Sequence, residues 1–436
     1  MLQPNNPPFA RRALLGSAVA IGVGATLSPA ILARADVVPG DPAGRPVDQE
    51  SIDAVAAQFD RALIALRRHI HRHPELAGAE RRTAATVASR LRAAGLRVTV
   101  GVGGHGVVGV LQGAHPGPTV AYRADMDAVP SADQIGGGPE PAHLCGHDLH
   151  TVVGVGVAQI LARLRHRLSG KLVFLFQPAE ENLTGARAML DDRVLERTRP
   201  QEIHALHCGP FPVGQFAVTP GTGLPGHDHA AITLTGPAPA DQARQLTTEI
   251  NALATVAIPQ TPADFEQLVY DIQTPDGPLA RFVAIRAQAG EADAEGRAKV
   301  EASYKCWPEE RYVEIRDTIR RLAQPYAGSQ LSFSAAPFPA MLCPPQEGHA
   351  LKGHLRRVLG PNAVTVLQAA VPFNGEDYAL FLDRIPGTYT FLGVRAPGAD
   401  ITTCYPHLGT FDPDERAIGI GVRAMAGWLA QRTSTP

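Results

Sequence analysis

Eight residues, His143-Leu144-Cys145-Gly146-His147-Asp148-Leu149-His150, constrain this chain more than any other stretch. They set a thiol between two imidazoles, with a carboxylate beside them. Only Gly146 separates Cys145 from His147, so the backbone can bend and both side chains can face one ion. Thiolate and neutral imidazole are preferred ligands of zinc and similar divalent metals. A buried cysteine with surface histidines around it would read the same way in isolation. What separates the two readings is whether further ligands stand at strand ends.

They do. Lys171–Phe176 is an apolar run of strand type; it reaches Gln177-Pro178 and is followed by Ala179-Glu180-Glu181. Ile203–Leu206 ends in His207, and the strand-like run Gly387–Gly393 precedes a loop carrying His407. In α/β sheets, sites gather at the carboxyl ends of strands. Any one of these residues alone reads as a solvated loop group; several after separate strand-like runs read as a metal site.

The chain has 436 residues, which suggests two or three domains. A formal net charge of −2 with 19% charged residues gives no basic surface for nucleic acid. Residues 1–35 read as an export signal. Arg11-Arg12 precede a weak apolar run broken by glycines and Pro29, and Ala33-Arg34-Ala35 offers small residues for cleavage. The paired arginines indicate the twin-arginine type, and hence a periplasmic or secreted bacterial protein with no stable membrane insertion. Five cysteines (Cys145, Cys208, Cys306, Cys343 and Cys404) make no disulfide framework.

From Glu50 to His73-Pro74 the spacing of Ile52, Val55, Phe59, Leu63, Leu66 and Ile70 predicts one helix with a buried face. A second helix is expected over 79–94. Short strands follow, the last ending in Arg123-Ala124-Asp125-Met126-Asp127, and another helix is expected over 148–165. Cys145 and His147 thus approach a helix N-terminus, where the dipole favours a thiolate. Residues 230–336 differ. They carry no cluster of metal-type ligands and alternate strand, helix, two strands, helix, strand, an α+β unit of the split-βαβ kind. This insert divides a catalytic unit of residues 36–229 and 337–436.

Seven motifs then occur in order: Arg67-Arg68-His69-Ile70-His71 with Pro74-Glu75-Leu76, RADMDAVP at 123–130, HLCGHDLH at 143–150, QPAEE at 177–181, ALHCGP at 205–210, GEDYALFL at 375–382 and HLGTFDPDE at 407–415. As a set they resemble the amidohydrolases of metallopeptidase family 20, in the branch of hippurate hydrolase, N-acyl-amino-acid amidohydrolases and indole-acetyl-amino-acid hydrolases. The resemblance implies an α/β zinc-peptidase-like catalytic domain with an inserted ferredoxin-like satellite domain, through which the family leaves a homodimer open. It implies two divalent ions (zinc, manganese, nickel or cobalt) on Cys145, His147, Glu181, His207 and His407, with Glu180 as general base. Asp127 matches the aspartate that orients a metal ligand. Five protein ligands leave positions open for water and a small-molecule amide substrate. Glu376 and Asp377 match a loop near the family's site.

The satellite region departs from the family pattern. Where relatives carry a histidine near the first satellite strand, this chain reads Thr235-Gly236-Pro237-Ala238-Pro239-Ala240-Asp241. Where they carry an asparagine, it reads Gly290–Arg297, without one. Three readings follow: an exported amidohydrolase of N-acyl amino acids or related amides, a metallocarboxypeptidase on short peptides, or a metal-bound homologue without turnover.

Overall fold

The computed structural model describes residues 45–326 and 328–434. The expected export segment, residues 1–35, lies outside the described residues. The chain opens with helices α1 (Gln49–Ala56), α2 (Asp60–His71) and α3 (Arg81–Ala93). Strands β1 (Arg97–Val102), β2 (Gly106–Gln112) and β3 (His115–Asp125) follow, then α4 (His147–Arg163) and β4 (Ser169–Gln177). After α5 (Gly185–Asp191) and α6 (Val194–Thr198) come β5 (Glu202–Pro212), β6 (Phe216–Val218) and the short β7 (Gly223–Leu224).

A second unit then runs β8 (Asp228–Leu234), α7 (Pro239–Asn251), α8 (Pro262–Asp271), β9 (Phe282–Ala289), β10 (Ala298–Trp307), α9 (Arg311–Ala323) and β11 (Gln330–Phe333). The chain returns through β12 (Met341–Leu342), which pairs with β7, and α10 (Pro345–Leu359). It ends with β13 (Val364–Val366), α11 (Ala379–Leu382), β14 (Gly387–Arg395) and α12 (Arg416–Ser434).

The main sheet has eight strands in the order β1-β2-β4-β3-β5-β14-β6-β13. Its centre, β4-β3-β5-β14, is parallel, and antiparallel strands flank it. Central strands covered on both faces must be apolar throughout. Leu172–Phe176 in β4 is accordingly buried along its whole length. The carboxyl ends of the parallel strands share one edge of the sheet, where the metal-type side chains collect. Helix α4 has no polar face: every residue from His147 to Ala158 is buried. An all-buried helix needs close neighbours on each side, and Gly156 provides one approach. A Cβ there would lie 2.7 Å from Val422 Cγ2 of α12 and 2.8 Å from Leu63 Cδ1 of α2.

The second sheet has the antiparallel order β11-β8-β10-β9, with α7 and α9 packed against it over a separate apolar core. Helix α8, which the sequence reading did not find, does not join that core. Its Phe265, Leu268 and Val269, with Ile272 just beyond, belong to the core of the main sheet.

Two local expectations need correction. The helix predicted from Glu50 to His73 is two helices. Around residues 57–59 the hydrogen bonds tighten to three-residue spacing (Gln58 N–H to Val55 O, Phe59 N–H to Ala56 O) before α2 begins. The break lets both pieces follow α12, and Arg423 of α12 holds Asp60 at the new start at 2.7 Å. The strand expected to end at His207 continues to Pro212, so His207 projects from inside β5. All five cysteines are free and buried. Among the described residues, no helix is long and apolar enough to cross a membrane.

Gly156→Val should overpack the contact between α4, α12 and α2 and cost about 1–3 kcal/mol. Thermal unfolding checks this: the midpoint should fall, and an unchanged midpoint would mean that α4 is less tightly held than its contacts indicate.

Candidate metal centre

The turn after β4 explains how two adjacent carboxylates can face one way. Residues in a strand alternate faces, but Glu180 and Glu181 lie past the strand, in a turn where Ala179 (φ 54°) and Leu183 (φ 57°) are left-handed. Glu180 Oε2 stands 3.6 Å and Glu181 Oε1 3.7 Å from His147 Nε2. His147 is the first residue of α4, and Gly146 before it has φ 86°. A Cβ on Gly146 would meet Cys208 Sγ at 2.6 Å, so both conformation and space require glycine there. From β5, His207 brings Nε2 to 3.4 Å from Cys145 Sγ. His407 arrives on the loop after β14, also left-handed at φ 67°. Its N–H donates to Leu144 O at 2.8 Å, and its Nε2 lies 3.3 Å from Glu181 Oε2.

These side chains form two donor triads, Cys145–His147–His207 and Cys145–Glu181–His407, with ligand atoms in each within 4.8 Å of one another. Cys145 belongs to both. Asp127 lies behind them. Its Oδ1 is 3.2 Å from His147 Nδ1, and its Oδ2 accepts the Glu181 N–H at 2.9 Å, so one carboxylate orients a residue of each triad.

Whether cations fit can be judged from the atoms left over. His147 Nε2 and Glu181 Oε1 are buried without a hydrogen-bond partner. Unpartnered buried polar atoms are costly, and these two face each other across the cluster. Burial, with the carboxylates of Glu181, Glu180 and Asp125, pushes the Cys145 thiol well above its ordinary range. The dipole expected at the start of α4 is therefore outweighed, and a thiolate here needs a cation in contact. Burial also drives His207 and His407 toward the neutral form that ligates metal. Burial works against charge on His147, but Asp125, Asp127 and Glu181 lift it to about 10, which marks the excess of negative charge around it. Thiolate, imidazole and carboxylate donors in this arrangement suit divalent zinc-like ions.

Two neighbouring clusters are closed without a metal. His150 has both ring nitrogens engaged, Nδ1 with Asp125 at 2.7 Å and Nε2 with the Cys208 N–H at 2.7 Å. Glu376 and Asp377 surround the buried Arg123, whose guanidinium reaches Glu376 at 2.9 Å, Asp377 at 3.3 Å and Asp125 at 2.6 Å. They act through Arg123 and Gln177, which donates to Asp377 at 2.6 Å and so supports the end of β4. Glu180, beside them, is pushed well up by burial and by Glu376 and Glu181.

The cluster opens into a cavity of about 310 Å³ whose lining includes Cys145, Glu180, Glu181, His207 and His407. Lys305 of β10 enters it from the second sheet, a residue that the sequence reading missed. Alternation along β10 turns Ala302, Tyr304 and Cys306 into the second core and Lys305 away from it, which fixes a face but not what covers it. Its Nζ donates to Asn374 O at 3.2 Å. Of the two departing segments, Gly236–Ala238 forms the turn into α7 and residues 290–297 form the exposed turn between β9 and β10.

Comparison with known proteins agrees with this architecture. The model of peptidase family M20/M25/M40 matches residues 121–431. A Synechocystis protein named as a probable hydrolase is 30% identical, over 84% of this chain and 95% of its own. The N-acetyldiaminopimelate deacetylase of Enterococcus faecalis is 27% identical, over 84% of this chain and 97% of its own. The Bacillus subtilis YXEP protein, described as a dinuclear metal binding peptidase, superposes with a TM-score of 0.69 at 26% identity, covering 87% of this chain and 99% of its own. With the family model spanning most of the chain and donor residues gathered at the sheet edge, this chain belongs to peptidase family M20/M25/M40 and is a metal-dependent hydrolase.

Proposed function

We propose that this protein hydrolyses the amide bond of N-acyl amino acids or closely related amides, in the hippurate-hydrolase branch of its family, using two divalent ions held by Cys145, His147, Glu181, His207 and His407. The observation that carries this reading is that Glu180 and Lys305 line the same cavity as the donor triads. A carboxylate placed to handle protons and a half-buried lysine ammonium thus face one space. The B. subtilis neighbour is described as dinuclear, and the Enterococcus relative is named for removing an acetyl group from an N-acylated amino acid.

The bound ions supply Lewis acidity toward a carbonyl oxygen and toward water. The rest falls to the chain. Glu180, held up by burial and neighbouring carboxylates, takes the proton of the attacking water and returns it to the departing nitrogen. Asp127 fixes the ring of His147 and the backbone of Glu181. Lys305 binds the substrate carboxylate. That assignment gives the cavity a cation from the satellite sheet, although the family's satellite histidine is missing. A metallocarboxypeptidase acting on short peptides is the second reading, favoured by the neighbour's description as a peptidase. Comparing hippurate-type amides with dipeptides under full metal loading separates the two.

Glu180→Gln should keep its metal content, read by elemental analysis, while turnover falls about a hundred- to ten-thousandfold. A near-normal rate would remove Glu180 as base. Burial lowers Lys305 to about 8, with Glu180 opposing. The ammonium is therefore present below about pH 8 and lost above it, so KM for carboxylate-bearing substrates should rise as pH passes 8. Lys305→Met should raise KM roughly tenfold to a hundredfold, the worth of a charged hydrogen bond, and abolish that pH dependence. A fall in kcat at unchanged KM would place Lys305 at the carbonyl instead.

A further inference from the structure

Pro74-Glu75-Leu76 opens a strap, residues 74–80, that joins α2 to α3. Its last residue, Glu80, has no part in the chemistry described above, yet it is fully buried, at 0% exposure. Glu80 occupies the N-cap position of α3, where a side-chain oxygen ordinarily accepts from the first turn of its own helix. It makes no such bond. Glu75 caps that turn instead, accepting the N–H of Arg82 at 2.9 Å, the N–H of Thr83 at 2.8 Å and the Thr83 hydroxyl at 2.9 Å. The Glu80 side chain turns the other way. Its Oε1 accepts the Gly78 N–H and, from across 99 positions, the Ala179 N–H, both at 2.8 Å. Its Oε2 has no hydrogen-bond partner.

A buried carboxyl with one unpartnered oxygen is a cost that helix capping does not explain. The bond to Ala179 does. Ala179 is the left-handed residue, φ 54°, from which the chain turns into Glu180 and Glu181. A non-glycine residue keeps that conformation only where its surroundings hold it. Here they hold it on both sides: Glu80 takes its N–H, and its carbonyl accepts from Thr184 at 3.2 Å and from Gly185 at 3.0 Å. The far end of the turn is tied by the Ala186 N–H, which donates to Asp377 Oδ2 at 2.8 Å. The same strap reaches the neighbour of Asp127, since the Ala128 N–H donates to Glu75 O at 2.8 Å. One loop thus braces the segment that carries Asp127 and the turn that carries Glu180. Without Glu80 the Ala179 N–H would stay buried with no acceptor. Rotation of Ala179 out of the left-handed region would then re-aim Glu180, the next residue.

We propose that Glu80 is a positioning residue for hydrolysis: by holding the Ala179 N–H it sets the turn after β4 so that Glu180 faces the cavity. This rests on the hydrolytic reading above, in which Glu180 is the base, and names the group that aims it. Glu80 touches neither the donor triads nor the substrate; it acts through the backbone of Ala179.

Kinetics on hippurate and N-acetyl amino acids, with amide hydrogen exchange beside them, test this on the metal-saturated full-length protein. Glu80→Ala should lower kcat on the order of a hundredfold, the cost of a misplaced catalytic group, with KM little changed and the metal content kept. Glu80→Gln still offers an oxygen to the Ala179 N–H and should restore most of the rate. Hydrogen exchange reads the turn without turnover. In Glu80→Ala protection should be lost across residues 178–186 while α12 keeps its own, and in Glu80→Gln the turn should stay protected. If the alanine variant fails to fold, Glu80→Met, which fills the space without an oxygen, gives the same reading. Thr83→Val loosens the cap of α3 without touching the turn and serves as the stability control. Unchanged rate and protection in Glu80→Ala overturn the proposal. An equal loss of kcat in Thr83→Val, or exchange that rises evenly along the chain, reduces Glu80 to a stabilising residue and overturns it too. So does a Glu80→Gln variant as slow as Glu80→Ala with its turn protected. Local opening in Glu80→Ala that Glu80→Gln reverses, with no amide hydrolysed by the unaltered protein, keeps Glu80 as the anchor of the turn and sinks the hydrolytic reading.

Discussion

Acidic side chains are buried here in excess of the cationic groups beside them, and the active end of the molecule is organised around that imbalance. Asp125, Asp127, Glu180, Glu376 and Asp377 are buried, and the Glu181 side chain is nearly so. Among these residues the permanent counter-charge is the guanidinium of Arg123, which is spent on Asp125, Glu376 and Asp377. Isolated carboxylates in a low-dielectric interior are strongly unfavourable. On the function proposed above, cations from outside the chain complete the far half of the cluster, where Cys145, Glu181 and the three histidines are the candidate donors. Metal binding and the integrity of this end of the fold are then one property rather than two.

The scaffold makes that arrangement affordable by drawing each donor from a different element. The turn after β4 delivers Glu180 and Glu181, the start of α4 delivers His147, β5 delivers His207, and the loop after β14 delivers His407. Each arrives where the backbone is fixed by something else: β4 by its parallel pairing with β3, α4 by burial on all sides, His407 by the bond of its N–H to Leu144. Left-handed backbone at Ala179, Leu183 and His407 is strain of a kind that persists only where its surroundings hold it. Three of the seven non-glycine residues with left-handed backbone among the described residues stand at or beside the donors.

Much of this was legible in the sequence because it is local. Cys145-Gly146-His147 is a three-residue geometry, and Glu180-Glu181 after an apolar run is a strand-end signal. The βαββαβ order of the second unit follows from periodicity. What could not be read depends on contacts between distant segments. Arg123 meets Glu376 across 253 positions, and nothing near either residue announces the other. The alternation of β10 gave Lys305 a face but not the covering by Asn374. The break at residues 57–59 preserves the helical spacing of the apolar residues, so spacing alone could not expose it. Helix α8 is the exception, since Thr261-Pro262-Ala263-Asp264 followed by Phe265, Leu268 and Val269 is a local start signal with an apolar face. It was obscured by lying inside a unit whose core it does not share.

The central claim is that one thiolate joins two donor triads into a single two-ion site. Anomalous X-ray diffraction from crystals of the metal-loaded protein, collected at the absorption edge of the bound metal, tests it most directly. The account predicts two peaks per chain, one beside Cys145, His147 and His207 or Glu181 and the other beside the remaining donors, with both in contact with Cys145 Sγ. One peak or none with Cys145 reduced, or two peaks of which one lies away from Cys145, would contradict it.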